Sequence, residues 1–317
     1  MSPQRIAGIR FHIINTDSVG ENDFAHYNGA MHRYDPHSPA FLEYIQHQVA
    51  QALAEDIGVA DYTAMLTPAQ QVGEASVICR ETAVICGIAW FNEVFQQISP
   101  QVDLIWHCTE GEWVPANHCI VELKGPSRAL LTGERTALNF LQTLSAVASL
   151  TRRYVAQVEG TSACIMDTRK TLPGMRLAQK YAVHVGGGIN QRMGLYDGIL
   201  IKENHILAAG SIAAALQAAA PLAQQYGLPV QIEVENLDEL QQALQAGAQL
   251  ILLDNFSLPM LQQAVQLNQQ RAVLEASGGV TLDSVRAIAL TGVNRISTGD
   301  LTKNIHAIDL SMRFHSL

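Results

Sequence analysis

The chain has 317 residues, 48% hydrophobic and 15% charged, with a formal charge of −9 at neutral pH. This is a soluble globular composition, long enough for one large domain or two ordinary ones. The acidic balance excludes general affinity for nucleic acid or anionic membrane, both of which need a broad basic surface. Cys79, Cys86, Cys108, Cys119 and Cys164 show neither CxxC pairing nor a dense framework. That argues against a zinc site and a disulfide scaffold, so a reducing cytoplasm is the expected compartment.

Arg5, Arg10 and His12 interrupt any apolar region at the N-terminus, so no secretory signal is expected. Residues 1–37 carry His12, His26, His32 and His37 without helical or strand periodicity and read as a polar arm. Ser38-Pro39 then makes a cap with proline in the first turn. Phe41, Ile45, Val49, Leu53 and Ile57 recur on one helical face until Gly58 stops it.

From about residue 72 to 123 the period changes. Runs at 75–79, 104–108 and 119–123 are short, rich in β-branched residues and bounded by turn residues, which predicts a small antiparallel sheet. A long amphipathic helix is expected from Thr132 toward Gly160, with Leu138, Leu141, Leu144, Ala148 and Val155 on its buried face. The stretch from Ile206 to Ala223 contains Gln217 and Pro221 and suits a packed helix better than a membrane span.

Beyond that helix, apolar runs repeatedly end in polar residues or glycine. Ile165-Met166 precedes Asp167, Ile199-Leu200-Ile201 precedes Lys202, and Val230 leads to Glu235. Leu250 to Leu253 precedes Asp254, Val273-Leu274-Glu275 precedes Ser277-Gly278-Gly279, and Ile296 precedes Ser297-Thr298-Gly299. Most of the gaps between them carry helical patterns, the arrangement of repeated βα units in an α/β barrel, whose ligands gather at the C-terminal ends of the strands.

The residues at those ends carry the chemistry. Glu233 and Asp254 end neighbouring strands and suit magnesium arriving with a phosphate or diphosphate; the alternative is that each pairs with a nearby lysine or arginine. The turns at Ser277-Gly278-Gly279 and Ser297-Thr298-Gly299 let backbone N–H groups approach a phosphate closely, with Lys303 as an added charge. Arg135, Arg169, Lys170, Arg192 and Lys202 suit a small dicarboxylate.

The run Leu131-Thr132-Gly133-Glu134-Arg135-Thr136-Ala137-Leu138-Asn139-Phe140-Leu141, with the motifs above and Leu252-Leu253-Asp254-Asn255-Phe256, resembles the quinolinate phosphoribosyltransferases. The resemblance extends from about residue 40 to the C-terminus. It implies an α/β fold whose barrel is of the type II phosphoribosyltransferase kind, with an N-terminal α+β open-sandwich domain. The expected division is an arm over 1–37, the sandwich over 38–143 with the segment from about 305 to 317 on it, and the catalytic barrel over 144–304.

The resemblance also implies an activity: quinolinate and phosphoribosyl diphosphate give nicotinate mononucleotide, carbon dioxide and diphosphate in NAD biosynthesis. Position by position, Arg169, Lys170, Arg192 and Lys202 would clamp the substrates, and Lys170, Lys202, Glu233 and Asp254 would form the catalytic group. Glu233 and Asp254 would hold magnesium and the donor, and Ser277, Gly278, Gly279 and Gly299 the 5′-phosphate. Arg135 would reach a neighbouring subunit's site in a homodimer or larger assembly.

Some positions depart from the family pattern. Where Asn-His-Arg is usual, the chain reads Asn190-Gln191-Arg192, so a substrate-contacting histidine is replaced by an amide that can still donate to a carboxylate. Ala60-Asp61, Ala146 and Asp300 also differ from the usual residues and bear on packing or loop shape. Two other readings stay open at this point: a quinolinate-binding homologue with weakened catalysis, and the pyrophosphorylase-like protein associated with molybdenum transport.

Overall fold

The computed structural model describes residues 38–316, so the arm over 1–37 lies outside the described residues. The chain forms two compact units, one of residues up to Ser149 together with His306–Leu317, the other of Leu150–Ile305. The division falls inside a long helix, later in the chain than the expected 143/144.

The first unit opens with α1 (Pro39–Ile57), whose N-cap Ser38 accepts from the Phe41 N–H and whose chain leaves through Gly58 at a positive φ of 57°. Phe41, Ile45, Val49 and Leu53 are buried. Phe41 meets Trp90 of α2 (Ile88–Ile98) edge to face, with ring centroids 5.7 Å apart. Each such fully buried large apolar side chain contributes about 1.5–3 kcal/mol. The Trp90 indole N–H donates to Gln48 Oε1 at 2.7 Å, so the aromatic packs without an orphaned donor.

The sheet of this unit contains β1 (Val72–Cys79), β3 (Asp103–Trp106), β5 (His118–Pro126) and β12 (Leu310–Ser316), in the order β12-β1-β5-β3. β1 pairs antiparallel with both β5 and β12, which is how the C-terminal segment joins this unit. β2 (Ala83–Val84) and β4 (Trp113–Val114) form a separate small ladder. Asp61 Oδ1 accepts from the Ala64 N–H at 2.9 Å and Oδ2 from the Thr132 hydroxyl at 2.8 Å, tying the loop after α1 to the long helix.

That helix, α3 (Ser127–Val158), begins earlier than the expected Thr132, directly after the Gly125-Pro126 that ends β5. Leu138, Leu141, Leu144 and Ala148 are buried, but Val155 is only half-buried. Thr151, Tyr154 and Val158 take the inner face there instead.

The second unit is a parallel sheet flanked by helices. Its strands are β6 (Cys164–Met166), β7 (Ile199–Ile201), β8 (Val230–Val234), β9 (Leu250–Asp254), β10 (Val273–Ser277) and β11 (Arg295–Ser297). They lie in the order β6-β11-β10-β9-β8-β7. α4 (Arg176–Val185) follows β6; α5 (Glu203–Ala209) and α6 (Ile212–Tyr226) follow β7. α7 (Leu237–Gln245), α8 (Leu258–Asn268), α9 (Leu282–Ala289) and α10 (Asp300–Lys303) follow the remaining strands in turn.

An isolated parallel bridge between Met166 and Ile189 adds a short stub beside β6. Gln191, just beyond that stub, reaches Gln231 on β8 and Glu275 on β10, so the sheet curls around a common interior. The apolar stretch expected to form one helix is broken at Gly210, and Ser211 caps α6 afresh. No single helix among the described residues is long and apolar enough to cross a membrane; α5 and α6 pass that test only as a pair bent by 96°.

Candidate active site

At the C-terminal end of β6 the chain turns through Asp167, Thr168, Arg169 and Lys170. Asp167 is fully buried and ion-paired to Lys180 of α4, whose side chain is equally buried. Burial pushes the Asp167 carboxyl up and the Lys180 ammonium down, each opposed by the charge of the other. Asn190 Nδ2 and the Gln191 N–H also donate to Asp167. The pair therefore anchors the turn at 189–192 to the end of β6.

Arg192 leaves this turn and donates to the Gly198 carbonyl at 3.0 Å. Burial, then the neighbouring charge of Arg169, holds its guanidinium below the ordinary arginine range, against the pull of Asp197. Arg169 Nε is buried and has no hydrogen-bond partner among the described residues. Arg176 fixes the backbone on both sides, donating to the carbonyls of Arg169 at 3.4 Å and Met193 at 3.3 Å. Two guanidiniums, one feeling the charge of the other and one with a buried donor that lacks a partner among the described residues, suit a small anion with adjacent negative groups.

Lys202 follows β7 and donates to both oxygens of Glu233 on β8, at 2.9 and 2.7 Å. Asp254 ends β9, lies in register with Ser277 at the end of β10, and accepts from Asn255 Nδ2 at 2.8 Å. Gly278 has φ +96°, and a Cβ there would lie 2.1 Å from Asn255 Oδ1, so only glycine lets this turn pass so close. At Gly299 a Cβ would lie 3.0 Å from Lys170 Cδ, which brings the end of β11 beside the cation loop. The Thr302 hydroxyl of α10 donates to the Lys170 carbonyl at 2.7 Å, and Gln179 of α4 donates to the Thr302 carbonyl at 2.9 Å.

Ser277 is half-buried, while Gly279 and Lys303 are exposed. Arg135 is exposed on α3 and belongs to the other unit. Among the described residues, Glu233 and Asp254 do not form a group of three metal-type ligands; the group that does, His107, Cys119 and Glu122, also belongs to the other unit.

The family models match almost the whole described chain. The model for the quinolinate phosphoribosyl transferase C-terminal domain matches residues 147–313, and that for its N-terminal domain matches residues 61–145. The chain belongs to the quinolinate phosphoribosyl transferase family. It is 41% identical to the probable nicotinate-nucleotide pyrophosphorylase [carboxylating] of Bacillus subtilis over 81% of this chain and 89% of that protein. The corresponding structure from Francisella tularensis is 44% identical, covers 86% of this chain and 97% of its own, and has a TM-score of 0.82. The structure of NadC from Streptococcus pyogenes is 34% identical, covers 88% of this chain and 98% of its own, and has a TM-score of 0.83.

Several residues outside the expected set hold the site in shape. Lys180, Arg176 and Gln179 on α4 tie down the loops that carry Arg169, Lys170 and Arg192. Tyr154 of α3 is buried and its hydroxyl donates to Asp300 Oδ2 at 2.8 Å, fixing the residue after Gly299. Gln231 and Glu275 lie deeper in the barrel. Their only sequence signal is a polar side chain within an apolar strand, which marks a residue needing a buried partner.

Proposed function

We infer that this chain transfers the phosphoribosyl group of phosphoribosyl diphosphate to the ring nitrogen of quinolinate, releasing diphosphate and carbon dioxide and leaving nicotinate mononucleotide for NAD synthesis. The observation that carries this reading is the buried Arg169 Nε, which has no hydrogen-bond partner among the described residues and lies within reach of the charge of Arg192. Quinolinate offers carboxylates on adjacent ring carbons, which suit two such cations and give Arg169 Nε an acceptor. Lys170 and Lys202 add point charges from the flanking loops.

The ring nitrogen is already a nucleophile, so the transfer needs no general base. The bond from the anomeric carbon to diphosphate breaks, its electron pair leaves with diphosphate, and the nitrogen bonds from the opposite face. The resulting pyridinium stabilises the electron pair left when the adjacent carboxylate departs as carbon dioxide, and a proton then takes its place. In this chain Arg169, Lys170, Arg192 and Lys202 bind and orient the diacid, and Glu233 holds Lys202 in place. Ser277, Gly278, Gly279 and Gly299 receive the 5′-phosphate, with Lys303 nearby in charge. Fixing both reactants in one geometry supplies much of the acceleration.

Magnesium is part of the proposal. Asp254 fits it as a carboxylate ligand beside the phosphate turns, whereas Glu233 fits less well because Lys202 occupies both its oxygens. When bound, the ion would neutralise charge on the departing diphosphate. We further propose a cytoplasmic homodimer or larger assembly in which the exposed Arg135 serves the site of a second copy.

The test is an assay of carbon dioxide and diphosphate from quinolinate, phosphoribosyl diphosphate and magnesium. Equal release of the two products is expected. Calorimetric binding of quinolinate with no carbon dioxide released would identify a binding homologue instead.

A further inference from the structure

Gln191 is held on every polar group it has. Its Nε2 lies 3.0 Å from Gln231 Oε1 and 2.8 Å from each oxygen of Glu275. An amide nitrogen carries two hydrogens, so these acceptors use its whole donor capacity. Its Oε1 accepts from the Arg192 N–H at 3.2 Å. The backbone is fixed as well: the Gln191 N–H donates to Asp167 Oδ1 at 2.8 Å, and Lys180 Nζ donates to the Gln191 carbonyl at 2.8 Å.

The acceptors lie inside the barrel. Glu275 is 1% exposed and Gln231 8% exposed, and Gln231 Nε2 also donates to Glu275 Oε2 at 2.9 Å. A buried carboxylate that receives two amides cannot give one up cheaply, because the lost donor leaves charge unsolvated in a dry interior. The residue next to Gln191 is Arg192, half of the guanidinium pair.

We propose that Gln191 is a positioning residue: it braces the 189–192 turn against Glu275 and Gln231, and so sets where Arg192 meets the diacid without touching the diacid itself. This rests on the quinolinate reading of the site. It makes Glu275 and Gln231 determinants of quinolinate affinity although both lie beneath the binding residues.

The test compares Gln191→Glu, the exchanged pair Gln191→Glu with Glu275→Gln, and Gln231→Ala in the full-length protein. Quinolinate Kd is measured by calorimetry, together with kcat and the KM of each substrate. Gln191→Glu sets two carboxylates against each other and weakens quinolinate binding by about tenfold or more, whereas the exchanged pair restores one carboxylate facing one amide and recovers most of that loss. Gln231→Ala raises the KM for quinolinate and leaves the KM for phosphoribosyl diphosphate unchanged.

If Gln191 touched the diacid directly, the exchanged pair would stay as weak as Gln191→Glu, because a carboxylate would still face a diacid. That result, with wild-type binding intact, overturns this inference alone. A wild-type protein that does not bind quinolinate overturns the reading of the site and this inference with it.

Discussion

Lys202 joins the ends of β7 and β8 by donating to both carboxylate oxygens of Glu233, with side-chain exposures of 44% and 11%. The glutamate is the more enclosed partner, so it holds the lysine, and the lysine keeps the outer face available to an anion. Lys202→Met removes the charge and leaves Glu233 without its cation. We expect kcat/KM for quinolinate to fall about 10²- to 10³-fold in steady-state kinetics, the loss typical of one preorganised electrostatic contact.

Because Glu233 is engaged with Lys202 and Asp254 is not, the two acids should differ toward magnesium. Asp254→Asn is expected to raise the magnesium concentration for half-maximal activity strongly. Glu233→Gln should change that concentration little while still lowering turnover through Lys202. A magnesium titration of both variants checks this; equal shifts would mean that both acids hold the ion.

The loop that ends in Gly299 depends on Tyr154. Burial, and then Asp300, pushes the Tyr154 phenol up, which keeps it a neutral donor at neutral pH. Tyr154→Phe removes the hydrogen bond to a charged acceptor and should lower stability by about 1.5–3 kcal/mol in denaturant titrations. The KM for phosphoribosyl diphosphate should rise more than that for quinolinate if Gly299 receives the 5′-phosphate as proposed.

The buried pair of Asp167 and Lys180 carries a larger penalty when broken. Asp167→Asn takes the counter-charge away from a fully buried Lys180, and also weakens the anchor of the 189–192 turn. A loss of about 3–5 kcal/mol is expected, read from the urea midpoint at constant m-value.

Glu134 gives a prediction with a defined sign. Burial pushes its carboxyl above the ordinary range, against the pull of Arg135. A carboxyl raised in the folded state contributes stability below its unfolded pKa and loses it as pH rises through the folded value. That contribution is lost as pH rises through the folded value, whereas Glu134→Gln stays neutral throughout. The variant should therefore gain in melting temperature relative to wild type as pH rises, and the difference should shrink toward pH 4.

Much of this was legible because apolar period and strand-end chemistry are local signals. The Phe41–Leu53 stripe is the buried face of α1, and the runs before Asp167, Lys202, Asp254 and Ser277 are β6, β7, β9 and β10. The differences lie where a breaker is outweighed by its surroundings. Gly125-Pro126 at the end of β5 marks the start of α3 at Ser127, ahead of Thr132, and Gly210-Ser211 ends one helix and caps the next inside a run that alanine makes look continuous. The interior partners were harder still. Gln191, Gln231 and Glu275 are 40 and 44 residues apart in sequence, and only the curled sheet brings them together. The ion-pair alternative for the acids applies to Glu233, whose partner Lys202 comes from the next strand.

The central claim is that the Arg169–Arg192 pair is a seat for the two adjacent carboxylates of quinolinate, and calorimetric titration of the wild-type protein and Arg192→Ala with quinolinate and with nicotinate tests it most directly. Quinolinate should bind wild type far more tightly than nicotinate does, and Arg192→Ala should erase most of that difference. Equal affinity for the two acids, or a preference that survives Arg192→Ala, would contradict the account.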